Sequence, residues 1–246
     1  MQTKADERFA ETRKAQEEAL QESLIAEDAA LQESLIKLSA AQAAVFAMQS
    51  KIAELQRYRL PPKGQSMKVL KCALYTLGYT RDDVRDSHTK KTDWAKMKMN
   101  FNNNFFTTLQ AYDPADTVGQ EGKKKKSKKG GKKGKKKKKV QVIPKYRQTA
   151  SLLALIDGIE VGEINNKSVA VGALLDWCKQ VLEVRERAKV KLAKEKEIEE
   201  ARLQREAEEE AARKAQEEEE AAAKAAEEAE AAAAAEAEAA AAAEDS

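Results

Sequence analysis

The chain has 246 residues, 35% of them charged and only 5% aromatic, too little apolar bulk for the core of an enzyme of this length, so most of the mass must be exposed helix. A formal net charge of +3 hides a separation: residues 123–139 hold thirteen lysines in seventeen positions, while residues 206–246 set fifteen Asp/Glu against three Lys/Arg. Such a chain is a dipole whose basic part seeks an acidic polymer.

Residues 1–59 form the first arm, helical from about Lys4 to Tyr58. Leu24, Leu31, Leu38, Val45 and Ile52 recur every seven residues, and Ala41, Met48 and Leu55 fill the partner seam, a coiled-coil pattern over four heptads. The segment ALQESLI occurs at 19–25 and again at 30–36, which shifts the local repeat toward 3.67 residues per turn and relaxes the supercoil there. A solitary amphipathic helix is the plainer alternative, but a stripe this long needs something to cover it.

The helix must stop at Leu60-Pro61-Pro62, since a proline drives its predecessor out of the α region and two forbid continuation. Residues 60–184 then change to the composition of a small globular head. Val69, Leu70, Cys72, Ala73, Leu74, Leu77, Trp94, Phe101, Phe105, Phe106, Leu109 and Tyr112 supply its apolar bulk, five of the chain's twelve aromatic residues among them. Short helices are expected, the first from about Ser66 to Leu77 with Gly78 as its stop, the last capped by Asn103 or Asn104. The lysine run, 123–139, is expected to be a disordered loop interrupted by glycine; no aromatic residue interleaves with it, which argues against reading of bases. Ala150–Asp157 and Val169–Val184 are again apolar at helical spacing, with Ser168 as cap of the second.

That last helix flows without a breaker into the return arm, residues 185–246. Its seam runs through Leu174, Trp177, Val181, Val184, Ala188, Leu192, Ile198 and Leu203, and is alanine beyond. With Leu55 opposite Trp177–Val181, an antiparallel partner for the first arm extends to about residue 230. Glu209/Arg213, Glu210/Lys214 and Glu220/Lys224 offer i,i+4 pairs. Past residue 205 the tail either stands alone as a solvated helix or closes against the small side of the first arm.

Catalysis finds no support. His88, the single histidine, lies in the polar stretch RDDVRDSHTKK and reads as a loop residue. Asp82, Asp83, Asp86 and Asp93 lack the ligand alternation, central glycine and terminal glutamate of a calcium loop. Gly158, Gly162 and Gly172 do not make a dinucleotide turn. Cys72 and Cys178, each in an apolar stretch without CxxC spacing, read as reduced core residues of an intracellular protein. No cofactor and no metal are expected. With no signal-type apolar run at the start and no stretch of about eighteen apolar residues, neither secretion nor a membrane span is expected.

The chain resembles the microtubule-binding stalk of dynein heavy chains. Leu60-Pro61-Pro62, then Met67-Lys68-Val69 through Leu77-Gly78, is similar to the stalk's PP…VK…LLG helix. Asp93-Trp94-Ala95-Lys96, Asn104-Phe105-Phe106-Thr107-Thr108-Leu109 and Tyr112-Asp113 resemble its DWxxAK…FLxxLxxYD run. Ser168-Val169-Ala170 through Leu174-Leu175-Asp176-Trp177 resembles the SxAxxxLxxW start of its returning helix. Three features depart from the family: there is no GxxxxGK[ST] phosphate loop, the lysine run stands where the family has a short helix, and the return arm lacks a proline.

The resemblance implies an all-α fold, a long antiparallel coiled-coil hairpin with a small helical head at its tip, and a binding head without a motor. It implies that Lys68 and Lys167 face a filament, with Lys71 one turn beyond Lys68. In the run, Lys123, Lys124, Lys125, Lys126, Lys135, Lys136, Lys137, Lys138 and Lys139 suit point-charge contact with the acidic surface of tubulin. The expected function is a non-catalytic microtubule-associated protein of the cytoskeleton, in a ciliary or flagellar axoneme by family alone. Two alternatives stay open: a nucleic-acid or ribosome-associated factor that uses the lysine run, and a scaffold subunit among axonemal proteins.

Overall fold

A computed structural model describes residues 2–118 and 143–244, and every regular element in them is a helix. Contacts divide the chain into two compact units, residues 1–194 and 195–246.

In the first unit, α1 spans Gln2–Ala47 without a glycine or proline to interrupt it. It breaks at Met48 (φ −99°, ψ 11°) and resumes as α2, Gln49–Glu54, followed by a 3₁₀ turn, Leu55–Arg57. The uninterrupted arm expected from the heptads is therefore broken. The break lies where tertiary packing changes partner: Phe46 meets the ring of Phe106 at 6.2 Å, and Gln42 Nε2 donates to the Leu109 carbonyl at 3.0 Å. The seam itself is as expected at its C-terminal end, where Leu38, Ala41, Val45, Ile52 and Leu55 are buried.

Among the described residues seven short helices, α3 to α9, follow. α3, Gln65–Leu77, buries nine of its thirteen residues and ends at Gly78, whose φ of 108° is open to glycine at no steric cost. A Cβ at Gly78 would also lie 3.0 Å from the Arg147 guanidinium. α4, Arg81–Val84, opens with a capping box in which Thr80 and Asp83 satisfy each other's backbone donors. α5, Trp94–Met99, is capped by Asp93. α6, Asn103–Gln110, is capped by Asn102, whose Oδ1 accepts from the amides of Asn104 and Phe105. The cap is thus one residue earlier than Asn103, because in a run of asparagines composition alone does not say which one leaves the helical region. α7 is Pro114–Val118, and after a 3₁₀ turn at Lys145–Arg147 comes α8, Thr149–Ile156.

α9, Val161–Asn165, leads to α10, Val169–Glu244. Ser168 caps α10 as expected, its hydroxyl accepting from the Val171 amide at 3.4 Å. Gly172 allows the close approach of α9: a Cβ there would fall 1.7 Å from Asn165 Oδ1.

The core gathers Val69, Leu70 and Leu74 of α3, Phe105 and Leu109 of α6, Leu152 and Ile156 of α8, and Leu174, Trp177 and Val181 of α10. Trp177 is 1% exposed, with Tyr112 edge-on to its ring at 6.1 Å.

Contacts between α1 and α10 run antiparallel. Ser34 Oγ donates to Glu183 (3.2 Å), Lys191 pairs with Asp28 (2.6 Å), and Lys194 with Glu27 (3.1 Å). This register is shifted from the one expected, Leu55 opposite Trp177–Val181. A heptad pattern fixes which face is buried, not the axial offset of its partner. Gln42 and Phe46 turn instead to α6, while Ser34 and the residues before it meet α10.

In the second unit α10 continues, and its residues between 195 and 224 whose burial is described are mostly exposed. Glu210 and Lys214 pair as expected (2.7 Å), whereas Arg213 reaches forward to Glu217 (3.6 Å) rather than back to Glu209. Pairs this exposed contribute about 0.3–0.5 kcal/mol each.

Candidate binding surface

One side of α3 carries Lys68 and Lys71, two of the expected contact residues, and runs from the exposed Lys68 to the buried Tyr75. Gln65, Lys68, Lys71 and Tyr75 follow at spacings of three, three and four, which places them on one side of a helix. Lys167, distant in sequence, is brought to the first turn of this row: its ammonium donates to Gln65 Oε1 at 3.4 Å. Gln65 in turn donates to Glu163 of α9 at 3.5 Å. Lys68 and Lys167 are both exposed, and Lys71 is half-buried.

Further along the same face the charge density rises. The Lys71 ammonium is held below its ordinary pKa, first by burial and then by the nearby Arg85 guanidinium. Tyr75 is 3% exposed. Burial pushes its pKa up, opposed first by the Arg85 guanidinium, through charge and hydrogen bonding, and then by the charge of Arg81. Tyr146 stands edge-on to Tyr75 at 5.0 Å, and Arg81 lies over the Tyr146 ring at 4.7 Å. Sequence reasoning passed over Arg81, Arg85 and Tyr146. The signal available was the i,i+4 spacing of the two arginines directly after the α3 stop, but nothing local tied it to a tyrosine sixty residues away.

The acidic residues nearest in sequence serve the backbone. Asp83 accepts from the Thr80 amide and hydroxyl, both at 2.7 Å. Asp86 accepts from the amides of His88 and Thr89, which lowers its pKa. Asp93 caps α5. His88 sits exposed in this loop, between the antiparallel bridge partners Arg85 and Thr92.

Behind this surface lies a residue the sequence did not flag. Arg185 of α10 is 1% exposed and donates to the Tyr112 hydroxyl through Nε (3.0 Å) and Nη2, to the Arg147 carbonyl (3.3 Å) and to the Thr76 carbonyl (3.4 Å). It joins the C-terminal end of α3, the turn before α8, and α10. Cys72 and Cys178 are both free and buried, as expected; burial, then its neighbour Cys72, holds the Cys178 thiol well above its ordinary pKa.

The lysine run, with Lys123, Lys124, Lys125, Lys126 and Lys135 through Lys139, lies outside the described residues. Among the described residues no helix is long and apolar enough to cross a membrane. Compared with known protein families, curated proteins and solved structures, the chain matches none of them.

Proposed function

We propose that the chain is a non-catalytic, dynein-stalk-like binding protein. In this account the antiparallel pairing of α1 with α10 is a coiled-coil hairpin, and α3 to α9 form the head that it carries. The head docks on the acidic surface of microtubules, in a ciliary or flagellar axoneme. The observation that carries this is the convergence of Lys167 on the α3 row of Lys68 and Lys71, since residues about a hundred positions apart present one basic face. Lysine suits such a face, because an ammonium engages scattered carboxylates without a fixed geometry. The lysine run adds a second, longer-ranged attraction to the same partner.

Cosedimentation of the full chain with microtubules tests the docking face. Lys68→Glu combined with Lys167→Glu should weaken binding at least tenfold near physiological salt while helical content stays unchanged. Binding indifferent to that double change would remove the head from the contact. A nucleic-acid factor that relies on the lysine run is the competing reading, and its sign is tight RNA binding that the double change leaves intact.

A further inference from the structure

The repeat of ALQESLI at 19–25 and 30–36 gives α1 an apolar face that the pairing with α10 leaves in the open. Ile25 is 68% and Ile36 71% exposed, and a spacing of eleven residues brings the two within about 20° of each other around the helix. Within about 50° of the line through them lie Ala29, Gln32, Ser39, Ala40, Ala43 and Ala47, all exposed and none charged. Ser34, Leu38, Ala41 and Val45, which are buried, sit on the opposite side. In a chain with 35% charged residues, a charge-free exposed face along residues 25–47 with two isoleucines on it reads as a contact surface.

We propose that this face pairs with the same face of a second copy of the chain, antiparallel and about a two-fold axis through Ile36. The order of side-chain sizes along the face is what selects a second copy. About that axis Ile25 of one chain meets Ala47 of the other, Ala29 meets Ala43 and Gln32 meets Ala40, so bulk at one end finds alanine at the other and Ile36 alone meets itself. Alanine at these positions lets the helix axes approach to about 8 Å, the short end of the usual range. Glu22, exposed before the charge-free stretch, comes to the level of Lys51, exposed beyond it, at both ends of the contact. A parallel pair would instead set Ile25 on Ile25 and Gln32 on Gln32, with alanine facing alanine across a gap. One helix face is a small interface, so the association is weak and depends on concentration. The dimer carries two basic head faces, a bivalent arrangement that the filament reading above would use; the pairing itself does not rest on that reading.

The test is sedimentation equilibrium of the full chain up to about 100 μM, where a dimer of micromolar affinity is mostly associated. Salt at about 0.3 M screens attraction between the lysine run of one copy and the acidic tail of another to within roughly 6 Å. Ile36→Lys, at an exposed site, should keep the helical content and lower association at least tenfold, because it sets two ammonium groups against each other on the axis. Leu60→Lys, the same kind of change at a residue 78% exposed outside α1, should leave association within twofold. Orientation is read by disulfide formation under mild oxidation with diamide, Cys72 and Cys178 being buried. A chain carrying Ala29→Cys should join to one carrying Ala43→Cys, and neither should join to its own kind. A chain that stays monomeric at the highest concentration overturns the proposal. So does parental association in Ile36→Lys, or a disulfide between two Ala29→Cys chains.

Discussion

Arg185 shows how a residue that reads as surface becomes part of the core. In VLEVRERAKV it looks like one more charge on a solvated helix, yet it is enclosed and donates to the Tyr112 hydroxyl and to the Arg147 and Thr76 carbonyls. The signal was present in α10 itself: Leu174, Leu175, Trp177, Cys178, Val181, Leu182 and Val184 are buried, so the helix is covered nearly all round at that level. A charge at the end of such a stretch must be enclosed with it. The same burial governs Cys178, and it gives a pH dependence whose sign can be worked out. In the unfolded chain the thiol ionises near its ordinary value of 9.0, whereas in the folded chain it keeps its proton to higher pH. The native state therefore binds more protons above that value, and stability present below it is lost as pH rises toward the folded pKa. Urea unfolding should show stability falling between about pH 8 and 10 by up to ~1.4 kcal/mol per unit for this group. Cys178→Ala should make that slope shallower by up to one proton, whatever it does to the absolute stability. An unchanged slope would show that the thiol titrates freely.

At the scale of elements, what was legible was phase and what was not was offset. Apolar positions at heptad spacing named the buried face of the first arm, and Leu38, Ala41 and Val45 of α1, Ile52 of α2 and Leu55 after it are indeed enclosed. The stop at Gly78 and the Ser168 cap were legible too, because each follows from what one residue type can do at a helix end. The break at Met48 and the register of α1 on α10 were not, since both follow from where α6 sets Phe106 and the Leu109 carbonyl. Likewise Lys68, Lys71 and Lys167 could be named from the sequence, while Arg81, Arg85 and Tyr146 needed the fold to meet Tyr75. The observed register predicts a crosslink. Asp28→Cys with Lys191→Cys should be joined within one chain by a short bismaleimide at high dilution. Met48→Cys with Ala188→Cys, the pair that the offset read from sequence would favour, should react at least tenfold more slowly. Exclusively intermolecular products from the first pair would mean that α1 finds α10 in another copy.

On the scale of the whole molecule the organising feature is the separation of charge, thirteen lysines within residues 123–139 and an acidic excess after residue 206. A dense lysine run attracts any polyanion, so its presence alone does not choose between a filament and a nucleic acid. The choice rests on whether the face of α3 adds a contact of its own. Loop and face are separable by salt, because exposed charge acts over about 10 Å at 0.1 M salt and over less as salt rises. The most direct measurement is cosedimentation with microtubules and, in parallel, with RNA, across a salt series, for the intact chain, a deletion of residues 123–139 and the Lys68→Glu, Lys167→Glu double variant. The deletion should bind microtubules more weakly with a flatter salt dependence yet retain a residual affinity, and the double variant should lose that structured contact even with the lysine run in place. A chain that loses all binding with the run, keeps it with the double substitution and prefers RNA throughout would contradict the account.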